Sequence, residues 1–485
     1  MTVNIAKASK NLFLKNMLAY LVIVLMTPVL TRLYNPEQFG TLSLMIFVSS
    51  LMGVLFTARL ELAIPLIRER RSLNNLIMLL IYFAFLCCII SSMIVFLFKD
   101  AILNLFVAEK HHGNWLLVIP FYGLALSISS ILMLFLTREK QFSKMGVSLL
   151  FQNCAFCFLA IILSEFSLSL NGLIVAKFFG LGVSILFVLL TLKYKIKEFA
   201  FSTLKFRFSK KITGDLKQFV QFNLPISIMG IIGKDLMVLI FAFSQSVSYA
   251  GFYAMARVVG ELPTSMLSGA LGPVFYSQTA SSLNDLTLKN KVADEINVIL
   301  KLLFTLIIPA YLIFSIWAEE IFKFILGETW EISGTIFLFL LPLSIISLFS
   351  CWLTRLFEVM SRQKISFKVQ FTFEVIGFIG ALLLIFLKIP LEIILAFIVT
   401  CFSLVPISIT IISLKMLGFK SSSIKLMTVL FMFFSLANAL VVTIFSNNLN
   451  GDTQSIWLIF SSVLFFLFGW KSFKNYRLRD LNVFR

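Results

Sequence analysis

LIMLLIYFAFLCCIISSMIVFLF (76–98) runs for 23 residues without a charge, with Arg68, Arg70 and Arg71 before it and Lys99 directly after it. As a helix it is about 35 Å long, enough to cross a hydrocarbon core of about 30 Å. Period-2 alternation, which a membrane barrel needs, is absent, so a helix is the spanning structure left. The same reading extends outward to fourteen stretches: 12–31, 40–67, 76–98, 115–136, 147–164, 171–192, 219–243, 249–276, 297–317, 332–354, 369–387, 391–414, 424–445 and 455–470. Hydrophobic residues make up 59% of the chain and charged ones 13%, with a mean hydropathy of +0.99. A soluble fold cannot hide that much apolar surface, whereas lipid solvates it directly. The expectation is an all-α polytopic membrane protein with 14 transmembrane helices.

The basic residues fall in alternate gaps. One side of the membrane receives 32 of the 41 lysines and arginines, the other receives Arg32, Lys99, Lys110, Lys323 and Lys388, and four lie inside spans. By the positive-inside rule the richer side is cytoplasmic, so both termini are expected inside. The net charge of +18 is then a topology signal with some attraction to anionic lipid headgroups, and it calls for no nucleic acid. The first apolar run is too long for a signal peptide core and reads as an uncleaved helix. Cys87, Cys88, Cys154, Cys157, Cys351 and Cys401 all lie in apolar segments; Cys154 and Cys157 have CxxC spacing without a redox context, so they read as packing residues.

The longest extramembrane stretch, 193–217, is basic and follows the sixth span. It divides the chain into an N-lobe (1–195, helices one to six), a linker (196–217), a C-lobe (218–420, helices seven to twelve) and a tail (421–485) with helices thirteen and fourteen. Two six-helix bundles rocking about a central site is a common transporter plan. Enzyme classes fit poorly. The longest outer connections, Lys99–Asn114 with His111 and His112 and Ala318–Glu331 with four glutamates, read as loops without a catalytic set, and no phosphate-cradling loop occurs.

Ionisable groups at membrane depth are costly and therefore functional candidates. Span two carries Arg59, Glu61 and Pro65, span six Lys177, span seven Lys234 and Asp235, and span eight Arg257, Glu261 and Pro263. Arg257 and Glu261, four apart, share a helix face and can pair. Lys234 and Arg257 come to a similar depth on consecutive helices, which makes them neighbours. They form either a structural ion-pair cluster with Asp235 and Glu261 or an anion site on an internal cavity. Arg59 and Glu61, two apart, point different ways on a helix and need other partners. Lys177, about two turns from the outer surface, can snorkel to it.

At these positions the chain also resembles a known family. TRLYNPEQFG (31–40), RLELAIPL (59–66), YAMARVVGELPTSMLSGALGPVFY (253–276) and ILGETWEISG (325–334) resemble, in order, segments of the polysaccharide-biosynthesis flippases. These are O-antigen translocases within the MATE-like exporter superfamily. The resemblance implies a MATE/MOP-like two-lobed bundle around a cavity open to each side in turn, in a bacterial plasma (inner) membrane. Its cargo would be an undecaprenyl-diphosphate-linked oligosaccharide, moved to the outer leaflet. Arg59 and Arg257 stand at motif positions and inherit the diphosphate-binding role; Lys234 joins them on depth alone. Arg32 is at a motif position too, where it either contacts cargo or caps helix one. Glu61, Glu261 and Asp235 either pair the cations or carry a coupling proton or sodium ion, with no other cofactor expected. Membrane lipids, a polysaccharide polymerase and a chain-length regulator are the partners implied. A drug/cation antiporter of the same fold would have acidic residues dominating its cavity, and here cations match them; a glycan polymerase or glycosyltransferase would need the catalytic set that is missing.

Overall fold

Asn35 starts the second helix by a reciprocal cap. Its side chain accepts from the Gln38 N–H at 2.9 Å while the Gln38 side chain accepts from the Asn35 N–H at 3.0 Å, and Pro36 occupies the first helical turn. The preceding residue, Tyr34, donates its hydroxyl to the Ala160 carbonyl at 2.6 Å and so ties the end of the first helix to the fifth. The TRLYNPEQFG motif is therefore a corner that fixes where two helices begin and end.

The structure is a computed structural model, and it describes residues 5–65, 67, 69–105, 115–139, 141–166, 171–192, 219–244, 246–282, 299–360, 362–416, 429–434, 459–461, 463–465 and 467. All regular structure among them is helical: α1 (Ile5–Leu33), α2 (Pro36–Thr57), α3 (Arg70–Leu105), α4 (Trp115–Arg138), α5 (Phe142–Leu163), α6 (Gly172–Thr191), α7 (Leu224–Ser244), α8 (Val247–Ser282), α9 (Ile308–Ile316), α10 (Ala318–Leu326), α11 (Glu331–Val359), α12 (Gln363–Phe386) and α13 (Leu391–Met416). Ten of the described segments are long and apolar enough to cross a membrane, and they fall on the first six expected spans and on the ninth to twelfth. The expected spans 424–445 and 455–470 lie largely outside the described residues, as does nearly all of the basic stretch 193–217. The chain is thus an all-helical multi-pass membrane protein.

Two compact units divide it, Met1–Ala254 and Met255–Arg485, with the boundary inside α8. In the first unit, α1 packs on α5, α5 on α6, α2 on α4, α3 on α4 and α2 on α7. Helices in lipid gain little from burying apolar surface against each other, so small residues and interhelical hydrogen bonds hold them. Gly53 and Gly123 let α2 and α4 approach closely. Ser49 donates to the Ile119 carbonyl and Ser127 to that of Gly53, both at 3.1 Å, and Asn153 on α5 donates to the Ala19 carbonyl on α1 at 2.9 Å. The opposite surface is apolar: Tyr82, Ile89 and Phe96 on α3 are all at least two-thirds exposed, which only lipid makes inexpensive.

In the second unit, α11 and α12 pack on α13, and α10 packs on α11. Phe304 and Phe349, with centroids 4.9 Å apart, form an aromatic core with Phe431 and Phe465. Phe431 and Phe465 are almost wholly buried, so the described pieces of the last two expected spans are built into this unit.

Candidate functional site

Span two does not run as one helix to residue 67. α2 stops at Thr57, and the next two residues both take left-handed conformations, Ala58 at φ 49° and Arg59 at φ 60°. One helical turn of tight pitch, Leu60–Ala63, follows. Neither residue is glycine, so each costs on the order of 1 kcal/mol in this conformation. The break reverses an expectation. On a continuous helix Arg59 and Glu61 would diverge; here Arg59 Nη1 lies 3.2 Å from Glu61 Oε1, because the left-handed residue swings the two side chains together.

Arg59 also donates from Nε to Ser227 Oγ at 2.6 Å. Ser227 lies in the first turn of α7, so the arginine ties the break to that helix. A guanidinium has five N–H donors, and those beyond the two bonds described have no protein partner among the described residues. Glu61 is 1% exposed, and its Oε2 is buried without a hydrogen bond among the described residues. A buried acceptor left unsatisfied costs about 1–3 kcal/mol, so this corner holds unspent polar capacity on both side chains.

Its position follows from packing. Ala63 and Ile64, just past the break, share a core with Leu73, Leu76 and Leu80 at the start of α3 and with Phe135 and Leu136 at the end of α4. Those are the ends where Arg70 and Arg138 stand. The Asn35 cap is at the other end of α2, whose 22 residues span about 33 Å. Arg59 therefore lies one bilayer thickness from the Asn35 corner, at the basic end of the helices.

At the Asn35 end, α2 and α8 touch backbone to backbone. A Cβ on Gly40 would collide with the Val247 carbonyl, and one on Gly251 with the Pro36 carbonyl. Asn171 at the start of α6 reinforces this end, donating to the Gln38 carbonyl at 2.6 Å and to Thr41 Oγ1 at 2.7 Å.

The other expected residues are placed as follows. Arg257 and Glu261 pair along α8, Nε to Oε1 at 3.1 Å, with Glu261 half exposed. Asp235 and Lys234 lie on α7. The Lys234 side chain, and with it the expected approach to Arg257, falls outside the described residues. Arg32 is exposed in the last turn of α1, where a cation suits the negative end of the helix dipole. Lys177 is half-buried and sits 4.8 Å above the Phe156 ring, a cation–π contact within the bundle. Glu374 escaped the sequence reading. It is buried on α12, 9% exposed, and accepts from Gln370 at 2.8 Å. The signal was a lone carboxylate in the apolar run FTFEVIGF (371–378).

Solved structures share this fold. The lipid II flippase MurJ in an inward closed conformation superposes with a TM-score of 0.65 at 14% identity, covering 97% of this chain and 100% of that one. A MATE transporter in its bent conformation gives 0.55 at 13%, covering 88% and 98%, and the MATE transporter ClbM in complex with Rb+ gives 0.52 at 12%, covering 88% and 97%. No curated protein matches the sequence. The fold is thus that of the MurJ and MATE transporters. The family profile described as "Polysaccharide biosynthesis protein" matches residues 29–334, and the chain belongs to that family.

Proposed function

We propose that the protein is a flippase which moves an undecaprenyl-diphosphate-linked oligosaccharide from the cytoplasmic to the outer leaflet by alternating access of two lobes. The observation that carries this reading is the Arg59 break. It holds a guanidinium by one bond to Ser227 and one to Glu61, keeps further donors unused, and lies at the basic end of the bundle. With both termini in the cytoplasm, that end meets the leaflet in which lipid-linked sugars are made. A guanidinium binds phosphate oxygens in pairs, so the diphosphate would displace Glu61 from Arg59. The freed carboxylate would then be available to a coupling proton or sodium ion, as would Glu261, Asp235 and the buried Glu374. Arg257 and Lys234 would receive the diphosphate further along its path, and Arg32 would act at the outer end.

A diphosphate carries about two negative charges, and moving them out of an interior-negative cell is downhill by about 2.3 kcal/mol per charge per 100 mV. What opposes transfer is dehydration of the headgroup and glycan, which a polar, cationic path reduces. Released cargo would pass to a polymerase and chain-length regulator. The test is complementation of a flippase-deficient bacterium. Wild type should restore surface glycan and Arg59→Lys should not, at equal membrane abundance; glycan restored in full by Arg59→Lys would remove Arg59 from the binding role. An export assay with cationic drugs addresses the antiporter alternative, for which resistance without glycan is the expected result.

A further inference from the structure

The connection expected as a loop at Ala318–Glu331 contains a nine-residue helix, α10 (AEEIFKFIL), and its sides divide three ways. At 100° per residue, Ala318, Phe322 and Leu326 form one sector, and each is at most 4% exposed. This sector lies on α11: Phe322 meets the Phe337 ring at 5.7 Å, and a Cβ on Gly334 would collide with the Glu319 backbone. The charged sector holds Glu319, Glu320 and Lys323. Glu319 accepts from Thr335 at 2.8 Å and Lys323 reaches Glu331 at 3.3 Å, so this side is braced by polar contacts. Between them runs Trp317, Ile321, Phe324 and Ile325, an apolar stripe with Trp317 54% and Phe324 83% exposed.

The apolar arc of α10 is thus about 200° wide, and α11 covers only about half of it. The remaining stripe continues onto the lipid-facing side of α9, where Ile313 and Phe314 are exposed one turn before Trp317. A tryptophan at the end of a membrane helix, followed by an amphipathic turn of chain with a charged side, is the pattern of a segment lying in the lipid interface.

We propose that α10 is an interfacial helix. Its Trp317–Ile321–Phe324–Ile325 stripe is seated in the headgroup–acyl boundary of the leaflet at that end of the second unit, and its acidic sector faces water. The partner is the bilayer itself, and the role is to fix the depth of α9 and α11 in the membrane.

The experiment reconstitutes the full chain in phosphatidylcholine vesicles, with the six native cysteines replaced and one nitroxide placed at 320 or 324. Collision with oxygen, which partitions into lipid, is compared with collision with a water-soluble nickel chelate. The label at 324 should favour oxygen several-fold over the label at 320. Equal access of the chelate to both positions overturns the proposal, as does exclusion of both reagents at 324, since that means a second copy or another protein covers the stripe. If the cysteine-replaced chain does not fold, the native chain and W317F are compared in brominated phosphatidylcholine. The Trp317 contribution should be strongly quenched; no difference in quenching between the two proteins overturns the proposal.

Discussion

At the scale of the residue, substitutions separate the contacts Arg59 makes to Glu61 and Ser227 from its proposed binding role. Removing it alone leaves Glu61 buried without its partner, at a cost of about 3 kcal/mol, so Arg59→Ala should lower thermal stability in detergent as well as glycan export. Removing both partners in Arg59→Ala/Glu61→Ala should return most of the stability and none of the export. If the double variant exports normally, the pair is structural. Ala58 supplies the complementary case: its φ of 49° suits glycine, and no side-chain role attaches to it. Ala58→Gly should raise the melting temperature, by an amount corresponding to about 1 kcal/mol or less, with export unchanged. The sequence made Arg59 and Glu61 visible as charges in an apolar stretch. A helix continued through residue 67 points them in different directions, and nothing in VLFTARLELAI (54–64) marks Ala58 or Arg59 as left-handed.

At the scale of the element, glycine positions that look alike in the sequence differ in what surrounds them. Gly251 abuts the Pro36 carbonyl, whereas Gly182 on α6 has nothing within 4 Å of its would-be Cβ. Gly251→Ala should push α8 off α2 and lower thermal stability by about 1–3 kcal/mol. Gly182→Ala should be neutral or raise it by up to about 1 kcal/mol through helix propensity. Equal melting temperatures for the two variants would show that the α2–α8 contact is looser than described. Helix lengths and most boundaries were legible, because an apolar run bounded by Asn-Pro or by basic residues is a local signal. Which glycines bear contact was not, since that depends on a partner some 200 residues away in the chain. The nine residues of the short helix α10 are too few for a spanning pattern, so in sequence the segment resembles a loop, although it carries an apolar stripe at helical spacing.

At the scale of the whole molecule, the distribution of basic residues makes a direct prediction. A fluorescent protein fused after Arg485 should fluoresce in the cytoplasm, and a periplasm-dependent phosphatase at the same place should be inactive; the reverse result would invert the proposed direction of transport. Energetics makes a second. For a cargo with about two negative charges, collapsing a 100 mV potential removes about 4.6 kcal/mol of driving force. Export of lipid-linked oligosaccharide from reconstituted vesicles should therefore fall when potassium and valinomycin abolish the potential. Export that persists unchanged would place the driving force on an ion taken up by a buried carboxylate, with Glu61→Gln and Glu374→Gln as the variants to compare.

The sequence by itself determined the solvent of this protein, the helical character of its spans and the end of the bundle that is basic, because apolar length and charge placement act locally and need no knowledge of neighbours. Tertiary structure decided the rest. A left-handed turn turned two diverging side chains into a pair. A serine on α7 anchored an arginine from the end of α2, glycines became backbone contacts, and a supposed loop became a three-sided helix. The serine anchor and the glycine contacts depend on groups far apart in the chain meeting within a few ångströms, and the ion pair on a local break in the helix; apolar pattern, which lipid satisfies equally well in many arrangements, specifies neither.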